Sequence, residues 1–219
     1  MHNYQLEFID LAMSREALRF GTFTLKSGRE SPYFFNAGLF SDGASAAALG
    51  RCYAGALTAS GLPYDMLFGP AYKGIPLATS TVIALADHHG RNVPFAFNRK
   101  EAKDHGEGGT IVGTPLAGRV VIVDDVISDG AAKREAIDLI QKAGATPVAI
   151  LLALDRQERG RGERSAVQEI EAAHGVRCVS ILTLAQLLLA LENPADGRAR
   201  VSAQQLTALK AYRAQFGIS

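Results

Sequence analysis

The chain has 219 residues, of which 47% are hydrophobic and 21% charged, so it can bury the core of one globular domain. A formal net charge of +1 and a sequence pI near 7.8 exclude a general attraction to nucleic acid or anionic membranes, and any anion site must be local. Cys52 and Cys178 lack metal-ligand spacing, and no signal peptide or membrane span is recognisable, which predicts a cytoplasmic protein.

The first forty residues predict a small accessory layer, or hood. Residues 4–19 have the spacing of an amphipathic helix, with Ser14 as the candidate break, and residues 22–25 and 33–35 predict a hairpin. From residue 44 onward, helices and strands alternate. Predicted helices cover residues 44–60, 75–88, 131–143 and 165–173, and two more begin near Thr183 and Ser202; predicted strands cover residues 65–68, 93–97, 120–123, 147–154 and 176–182. This order predicts an α/β fold with a mainly parallel central sheet flanked by helices.

The chain shows no internal repeat and no Pro/Ser-rich linker, so we predict a single domain over residues 1–219. The hood takes in roughly residues 1–40 together with C-terminal elements, and the α/β core spans roughly residues 44–190. Residues 98–109 combine charge density with several glycines, which predicts a mobile surface loop.

A continuous apolar run at residues 120–123 ends abruptly in Asp124 and Asp125. Such a run is typical of a parallel strand that is covered on both faces. The following Ser128, Asp129 and Gly130 lie where a helix begins, and helix N-termini bind phosphate. The two carboxylates could accept hydrogen bonds from sugar hydroxyls or hold a hydrated Mg²⁺. A phosphorylated sugar would suit both the helix start, which binds phosphate, and the two carboxylates, which bind hydroxyls. An acidic pair alone fits a strand end or helix cap equally well.

Polar groups follow three predicted strands, at residues 68–74, 124–132 and 155–156, and should meet at one edge of the sheet. Lys73 can bring a charge to a phosphate oxygen, whereas the planar fork of Arg156 fits a carboxylate. The loop at residues 98–109 carries cations that could close over a charged leaving group. Motifs for nucleotide hydrolysis, dinucleotide binding, zinc proteolysis and serine hydrolysis are missing.

These segments make the chain resemble the type I phosphoribosyltransferases, and specifically the bacterial orotate branch. The resemblance runs nearly end to end and is most specific at TLKSGR and SPYFFN (residues 24–29 and 31–36), FGPAYKGIP (68–76), NRKEAKDHG (98–106), VDDVI (123–127) and LDRQERG (154–160). It implies a type I phosphoribosyltransferase fold and transfer of the phosphoribosyl group of 5-phosphoribosyl 1-diphosphate (PRPP) to orotate. The products would be orotidine 5′-monophosphate and diphosphate, in pyrimidine biosynthesis, with Mg²⁺ as cofactor.

The resemblance also implies the roles of individual residues. Asp124 and Asp125 would face the ribose hydroxyls, directly or through Mg²⁺ and water, with no direct protein ligand to the metal. The turn around the 5′-phosphate would comprise Ser128, Asp129, Gly130, Ala131 and Ala132. The residues that contact the diphosphate would be Lys26, Tyr72, Lys73 and Lys100. The residues that hold orotate would be Phe34, Phe35, Ser128 and Arg156. In a homodimer, the partner subunit would deliver Arg99, Lys103 and His105. Lys103 is the leading catalytic candidate, His105 a proton donor or charge clamp, and Asp125 more positional than basic.

The phosphate turn departs from the family pattern. Where orotate enzymes usually have Thr-Ala-Gly-Thr, this chain has Ser128-Asp129-Gly130-Ala131, which loses one hydroxyl and adds one negative charge. The orientation of Asp129 decides whether that charge is tolerable, and an ion pair with Lys133 one helical turn later would draw it outward. We therefore predict an active enzyme with weakened affinity for PRPP.

Three alternatives stay open at this point. A phosphoribosyltransferase for another base is disfavoured by Arg156 together with Phe34 and Phe35. A non-catalytic PRPP sensor that binds RNA or DNA is disfavoured by the near-neutral charge and the cationic loop. A phosphoacceptor domain would explain the acidic pair but neither the loop nor the glycine turns. We expect small-molecule substrates, no nucleic acid and no membrane as partners.

Overall fold

The structure is a computed structural model, and it describes residues 1–25, 28–103, 109–127, 130–160, 162–194 and 196–218. The strands in these ranges are β1 (Leu18–Thr24), β2 (Glu30–Phe35), β3 (Met66–Gly69), β4 (Phe95–Lys103), β5 (Gly109–Gly113), β6 (Arg119–Asp124), β7 (Thr146–Asp155) and β8 (Arg177–Thr183). The helices are α1 (Asn3–Ser14), α2 (Gly43–Ala59), α3 (Gly74–His89), α4 (Ala131–Lys142), α5 (Ala166–His174), α6 (Leu184–Glu192) and α7 (Ala203–Phe216).

Six of these strands form one sheet in the order β5-β4-β3-β6-β7-β8. All neighbours pair in parallel except β4 and β5, which are antiparallel. The predicted mainly parallel sheet flanked by helices is therefore confirmed. No described helix is long and apolar enough to cross a membrane.

The apolar run of β6 is buried on both faces of the sheet. Val121 and Val123 belong to the core beneath α1, α2 and α3, whereas Val120 and Ile122 belong to the core beneath α4 and α5. Side chains alternate between the faces of a strand, so a continuous apolar sequence is what two buried faces require. The same alternation decides which helix each of the following two carboxylates faces.

The hood is a two-stranded antiparallel sheet of β1 and β2, onto which α7 packs. Tyr33 of β2 meets Tyr212 of α7 edge to face, with ring centroids 6.1 Å apart. The predicted helix over residues 4–19 is too long. It ends at Ser14, because Glu16 takes a left-handed φ of 55° and Leu18 already pairs with Phe35 of β2.

The prediction of a surface loop over residues 98–109 is wrong for its described part. Strand β4 continues through Asn98, Arg99 and Lys100 to Lys103, and Asn98 pairs with Ile111 of β5. These residues are polar because this end of β4 pairs with the edge strand β5 rather than lying in the centre of the sheet. Their composition therefore resembles that of a loop. Residues 104–108 lie outside the described part of the chain.

Candidate active site

The carboxyl ends of β3, β6 and β7 lie side by side, since these strands are neighbours in the sheet. The turn after β3 leads to Lys73, which directly precedes α3. Strand β6 ends at Asp124, and β7 ends at Asp155 immediately before Arg156. The three polar strand ends predicted from the sequence therefore share one rim of the sheet.

The two carboxylates at the end of β6 face different helices and pair with different lysines. Asp124 continues the alternation toward α4, where its Oδ2 lies 2.6 Å from Nζ of Lys133. Asp125 faces α3, and its Oδ2 accepts a hydrogen bond of 2.7 Å from Nζ of Lys73. Each acid is thus neutralised by its own cation before any substrate arrives.

Both carboxylates are nearly inaccessible, with 7% of Asp124 and 6% of Asp125 exposed. Burial raises the pKa of Asp124, and the Lys133 ammonium beside it acts in the opposite direction. The remaining oxygens are also occupied. Asp124 Oδ1 accepts the Asp125 N–H at 2.9 Å, and Asp125 Oδ1 accepts the Val126 N–H at 2.7 Å. The acidic pair is consequently held in a fixed orientation.

Strand β4 brings its cations next to the turn that follows β3. The side-chain oxygen of Asn98 accepts a 2.8 Å hydrogen bond from the Ala71 N–H, which ties the two together. Lys100 Nζ lies 5.1 Å from the ring centroid of Tyr72, whose side chain is largely exposed. Arg99 has a buried Nη1 without a hydrogen-bond partner among the described residues. The structure therefore groups Tyr72, Lys73 and Lys100 on one side of the acidic pair.

Arg156 lies between the end of β7 and the hood. Its guanidinium forms hydrogen bonds to Glu158 (Nε, 2.8 Å) and Ser31 (Nη2, 3.3 Å) and lies 4.5 Å from the ring centroid of Tyr33. Glu158 also accepts a 3.0 Å hydrogen bond from the Tyr33 hydroxyl. Arg156 is thus pre-oriented by a carboxylate and an aromatic face, in a geometry suited to planar anion recognition.

Phe34 and Phe35 follow in β2 and point to opposite faces of the hairpin. The Phe34 ring lies 5.6 Å from that of Phe23. The Phe35 ring packs inward against Phe8 and Phe40, at 6.0 and 6.4 Å. Adjacent strand residues face opposite ways, so Phe35 shares its face of the hairpin with Tyr33, and Phe34 lies on the other face.

Helix α4 begins directly beyond the acidic strand end. Gly130 precedes it with a left-handed φ of 73°, a conformation that favours glycine. Ala131 and Ala132 form the exposed start of the helix. The positive end of the α4 dipole therefore points to the same rim as Asp124 and Asp125, which is the arrangement that binds phosphate in α/β sheets.

Comparison with known proteins identifies the family. The phosphoribosyl transferase domain family matches residues 45–181. An orotate phosphoribosyltransferase of Edwardsiella ictaluri is 58% identical over 218 residues, which cover 100% of both chains. The chain belongs to the orotate phosphoribosyltransferase family. The crystal structure of the Francisella tularensis orotate phosphoribosyltransferase superimposes with a TM-score of 0.85 at 35% identity, over 96% of this chain and 98% of that one.

A second structure shows what an orotate phosphoribosyltransferase binds. The Mycobacterium tuberculosis orotate phosphoribosyltransferase, 27% identical with a TM-score of 0.61, was crystallised in complex with PRPP; the match covers 83% of this chain and 98% of that chain. The fold, the enzyme class and the phosphoribosyl transfer to orotate predicted from the sequence are confirmed by these relatives.

The structure describes most, though not all, of the residues predicted for an orotate phosphoribosyltransferase site. Phe34 and Phe35 are described in the hood, and the other described residues of the predicted site are Tyr72, Lys73, Arg99, Lys100, Asp124, Asp125, Gly130, Ala131, Ala132 and Arg156. Lys26, His105, Ser128 and Asp129, as well as the side chain of Lys103, lie outside the described part. The expected Asp129–Lys133 pair therefore stays a prediction, and the described partner of the Lys133 ammonium is Asp124.

The acidic pair also fits the magnesium that orotate phosphoribosyltransferases are expected to use. Carboxylate oxygens suit Mg²⁺, but both carboxylates here already have ammonium partners. Among the described residues, no group of three or more His, Cys, Asp or Glu side chains could hold a metal ion. The carboxylates of Asp124 and Asp125 are oxygen donors of the kind that Mg²⁺ prefers, and each is paired with a lysine.

Sequence reasoning gave no role to Asn98 and Glu158, and it expected Asp129 rather than Asp124 as the partner of Lys133. Lys133 carried a readable signal, because it shares a helical face with the buried Ala136 and Ile137, where a charge needs a partner. Asn98 and Glu158 gave no comparable signal. Their partners, Ala71 and Tyr33, are distant in sequence, and only the folded sheet brings them into contact.

Proposed function

We propose that the rim formed by β3, β6 and β7 transfers the phosphoribosyl group of PRPP to orotate. A ring nitrogen of orotate forms a bond to C1 of the ribose, the bond from C1 to the diphosphate oxygen breaks, and diphosphate leaves. Because this bond breaks through an oxocarbenium-like state, the protein gains most by stabilising the departing negative charge and by aligning the nucleophile. The proton on the attacking ring nitrogen is lost as the new bond forms and passes to water or to the departing diphosphate, so no strong protein base is required.

In this proposal, the acidic pair and the start of α4 hold the ribose 5-phosphate half. Asp124 and Asp125 face the ribose hydroxyls, and residues 128–132 surround the 5′-phosphate with backbone N–H groups at the helix N-terminus. The burial and fixed orientation of both carboxylates support a positioning role. Asp125 has its nearest cation in Lys73, so it orients the sugar rather than removing a proton.

The diphosphate half lies on the opposite side of the acidic pair. Tyr72, Lys73 and Lys100 are grouped there by the contacts of the β3 turn with β4, and Lys26 would join them. The Lys73 side chain is 61% exposed, so its ammonium can leave Asp125 and move to a diphosphate oxygen. Mg²⁺ would accompany PRPP near Asp124 and Asp125, bound chiefly by substrate oxygens and water, and would neutralise charge on the diphosphate.

Orotate would bind beside the hood. Arg156 faces its carboxylate, in the orientation that Glu158 and Tyr33 impose. Phe34 and Phe35 would border the base at the end of β2, with Phe35 on the face that also carries Tyr33, and Ser128 would complete this side. This arrangement selects a planar base with an acidic substituent.

The proposed active form is a homodimer in the cytoplasm. Arg99 and Lys103 belong to β4, and His105 follows two residues later in the sequence. The partner subunit would supply these three residues to each site, with Lys103 as the leading catalytic group and His105 as proton donor or charge clamp.

The observation that carries the proposal is the convergence of Lys73, the acidic pair and Arg156 at adjacent strand ends. Steady-state assays with PRPP and Mg²⁺ test it directly, with orotate, uracil, adenine and hypoxanthine as alternative acceptors. We expect saturable turnover with orotate alone. Arg156→Ala should raise KM for orotate about 10- to 100-fold, because a hydrogen bond to a charged group is worth about 1.5–3 kcal/mol.

The exposed Arg164, on the same connection, provides the matched control. Arg164→Ala should leave KM for orotate unchanged. Turnover with a purine base at a rate comparable to that with orotate would contradict the assignment of the acceptor. Salt-sensitive RNA or DNA binding without any turnover would instead identify a regulator.

A further inference from the structure

Lys133 is the most unusual charged residue near the rim, because it is buried. Only 7% of its surface is exposed, and it shares a face of α4 with Ala136, Ile137 and Ile140, all of which belong to the core. Lysine is almost never buried unless its ammonium has partners. The two partners of this one are both at the end of β6.

The Lys133 ammonium joins the acidic strand end to the segment that leads into the phosphate turn. Its Nζ lies 2.6 Å from Oδ2 of Asp124 and donates a 2.7 Å hydrogen bond to the main-chain oxygen of Val126. The Tyr53 hydroxyl donates a 2.8 Å hydrogen bond to the main-chain oxygen of Asp124 from the other face of the sheet. The backbone and carboxylate of Asp124 are therefore fixed from both faces, and Lys133 is the only side chain that contacts the carboxylate among these described contacts.

The two ion pairs of the rim differ in mobility. The Lys73 side chain is 61% exposed, whereas that of Lys133 is 8% exposed. The exposed Lys73 ammonium can exchange Asp125 for a ligand, whereas the buried Lys133 ammonium is enclosed with its two partners. Lys133 is therefore the enclosed counter-charge of Asp124, and Lys73 the solvent-accessible one of Asp125.

We infer that Lys133 is a positioning residue for the ribose 5-phosphate half of the substrate. Because Lys133 lies in the first turn of α4, its contacts with the Asp124 carboxylate and the Val126 carbonyl fix the end of β6, which faces the ribose hydroxyls, relative to the start of α4, where the 5′-phosphate binds. This inference rests on the proposed function. The inference predicts that the KM of ligands containing the ribose 5-phosphate depends on Lys133, and that the KM of ligands lacking it does not.

The test uses the full-length protein with Lys133→Met, which removes the charge at similar length, and Lys133→Gln, which keeps a donor for Val126 and supports folding. KM is measured for all four reactants, in the forward direction for PRPP and orotate and in reverse for orotidine 5′-monophosphate and diphosphate. We expect KM for PRPP and for orotidine 5′-monophosphate to rise at least roughly tenfold, as is usual when a supporting residue is lost. KM for orotate and for diphosphate should stay within about twofold of the parent.

Lys142, at the exposed end of the same helix, provides the matched control, and Lys142→Met should change none of the four constants. Equal changes in all four constants, or none, in a folded Lys133 variant would overturn the inference while leaving the proposed function intact. Absence of turnover in the parent protein would instead refute the proposed function. A thermal unfolding curve for each variant separates a loss of fold from a loss of positioning.

Discussion

At the scale of single residues, two lysines pair with the acidic residues of the rim, and the sequence predicts the role of one better than that of the other. Lys73 lies within a recognisable glycine-containing turn, and that context predicts a role near a phosphate. Lys133 was expected to pair with Asp129 because they are one helical turn apart. The described contact with Asp124 instead depends on which face of β6 that acid occupies and on where α4 packs, and neither can be read from local spacing.

The departures from the family pattern in the phosphate turn lead to a prediction about PRPP affinity. The double variant Asp129→Ala, Ala131→Thr removes a negative charge and restores a hydroxyl beside the 5′-phosphate. A hydrogen bond to a charged group contributes about 1.5–3 kcal/mol, so KM for PRPP should fall roughly tenfold or more. Steady-state kinetics at fixed, saturating orotate provides the measurement.

Asp138 offers a control for that variant, since it is an exposed carboxylate farther along α4. Asp138→Ala removes the same charge without touching the turn and should leave KM for PRPP unchanged. If the double variant binds PRPP no better than the parent, the turn is not weakened, and the Asp129 carboxylate must be directed away from the phosphate.

At the scale of elements, the buried strands were predictable and the polar continuation of β4 was not. Residues 120–123 are apolar without alternation because both faces of β6 are covered, and this pattern has few other interpretations. Residues 98–103 are strand only because β5 pairs with them across the sheet edge. Residues 98–103 themselves show no alternation of apolar and polar side chains, because their strand conformation depends on pairing with β5. Their high charge density therefore predicts a loop when the sequence is read alone.

The packing of α2 against α3, which positions Lys73, leads to a prediction about stability. A Cβ atom at Gly50 of α2 would lie 2.5 Å from the main-chain oxygen of Ser80 in α3, too close for any real contact. Gly50→Ala should therefore push the helices apart and lower the free energy of unfolding by about 1–3 kcal/mol. Denaturant unfolding monitored by circular dichroism measures this.

Gly43, in the first turn of the same helix, has nothing within 4 Å of its would-be Cβ. Gly43→Ala should be neutral or slightly stabilising, because alanine restricts the unfolded chain more than glycine. A Gly50→Ala protein as stable as the Gly43→Ala protein would show that α2 and α3 can separate at no cost.

At the scale of the whole molecule, the site depends on contacts between residues far apart in the chain. Motifs were sufficient to indicate a phosphoribosyltransferase with an orotate preference and to name most of the rim residues. They could not show that Glu158 and Tyr33 orient Arg156, or that Phe35 packs into the core while Phe34 does not. Those details arise when the hood and the sheet come together, which local sequence does not encode.

The central claim is that adjacent strand ends form one site for a base, a ribose and a phosphate. A crystal structure of the protein with orotidine 5′-monophosphate bound tests it most directly, because this product spans all three parts. We expect the base beside Phe34 and Phe35 with its carboxylate on Arg156, the ribose hydroxyls facing Asp124 and Asp125, and the 5′-phosphate at the start of α4. A nucleotide bound at another face, with Asp124 and Arg156 untouched, would contradict it.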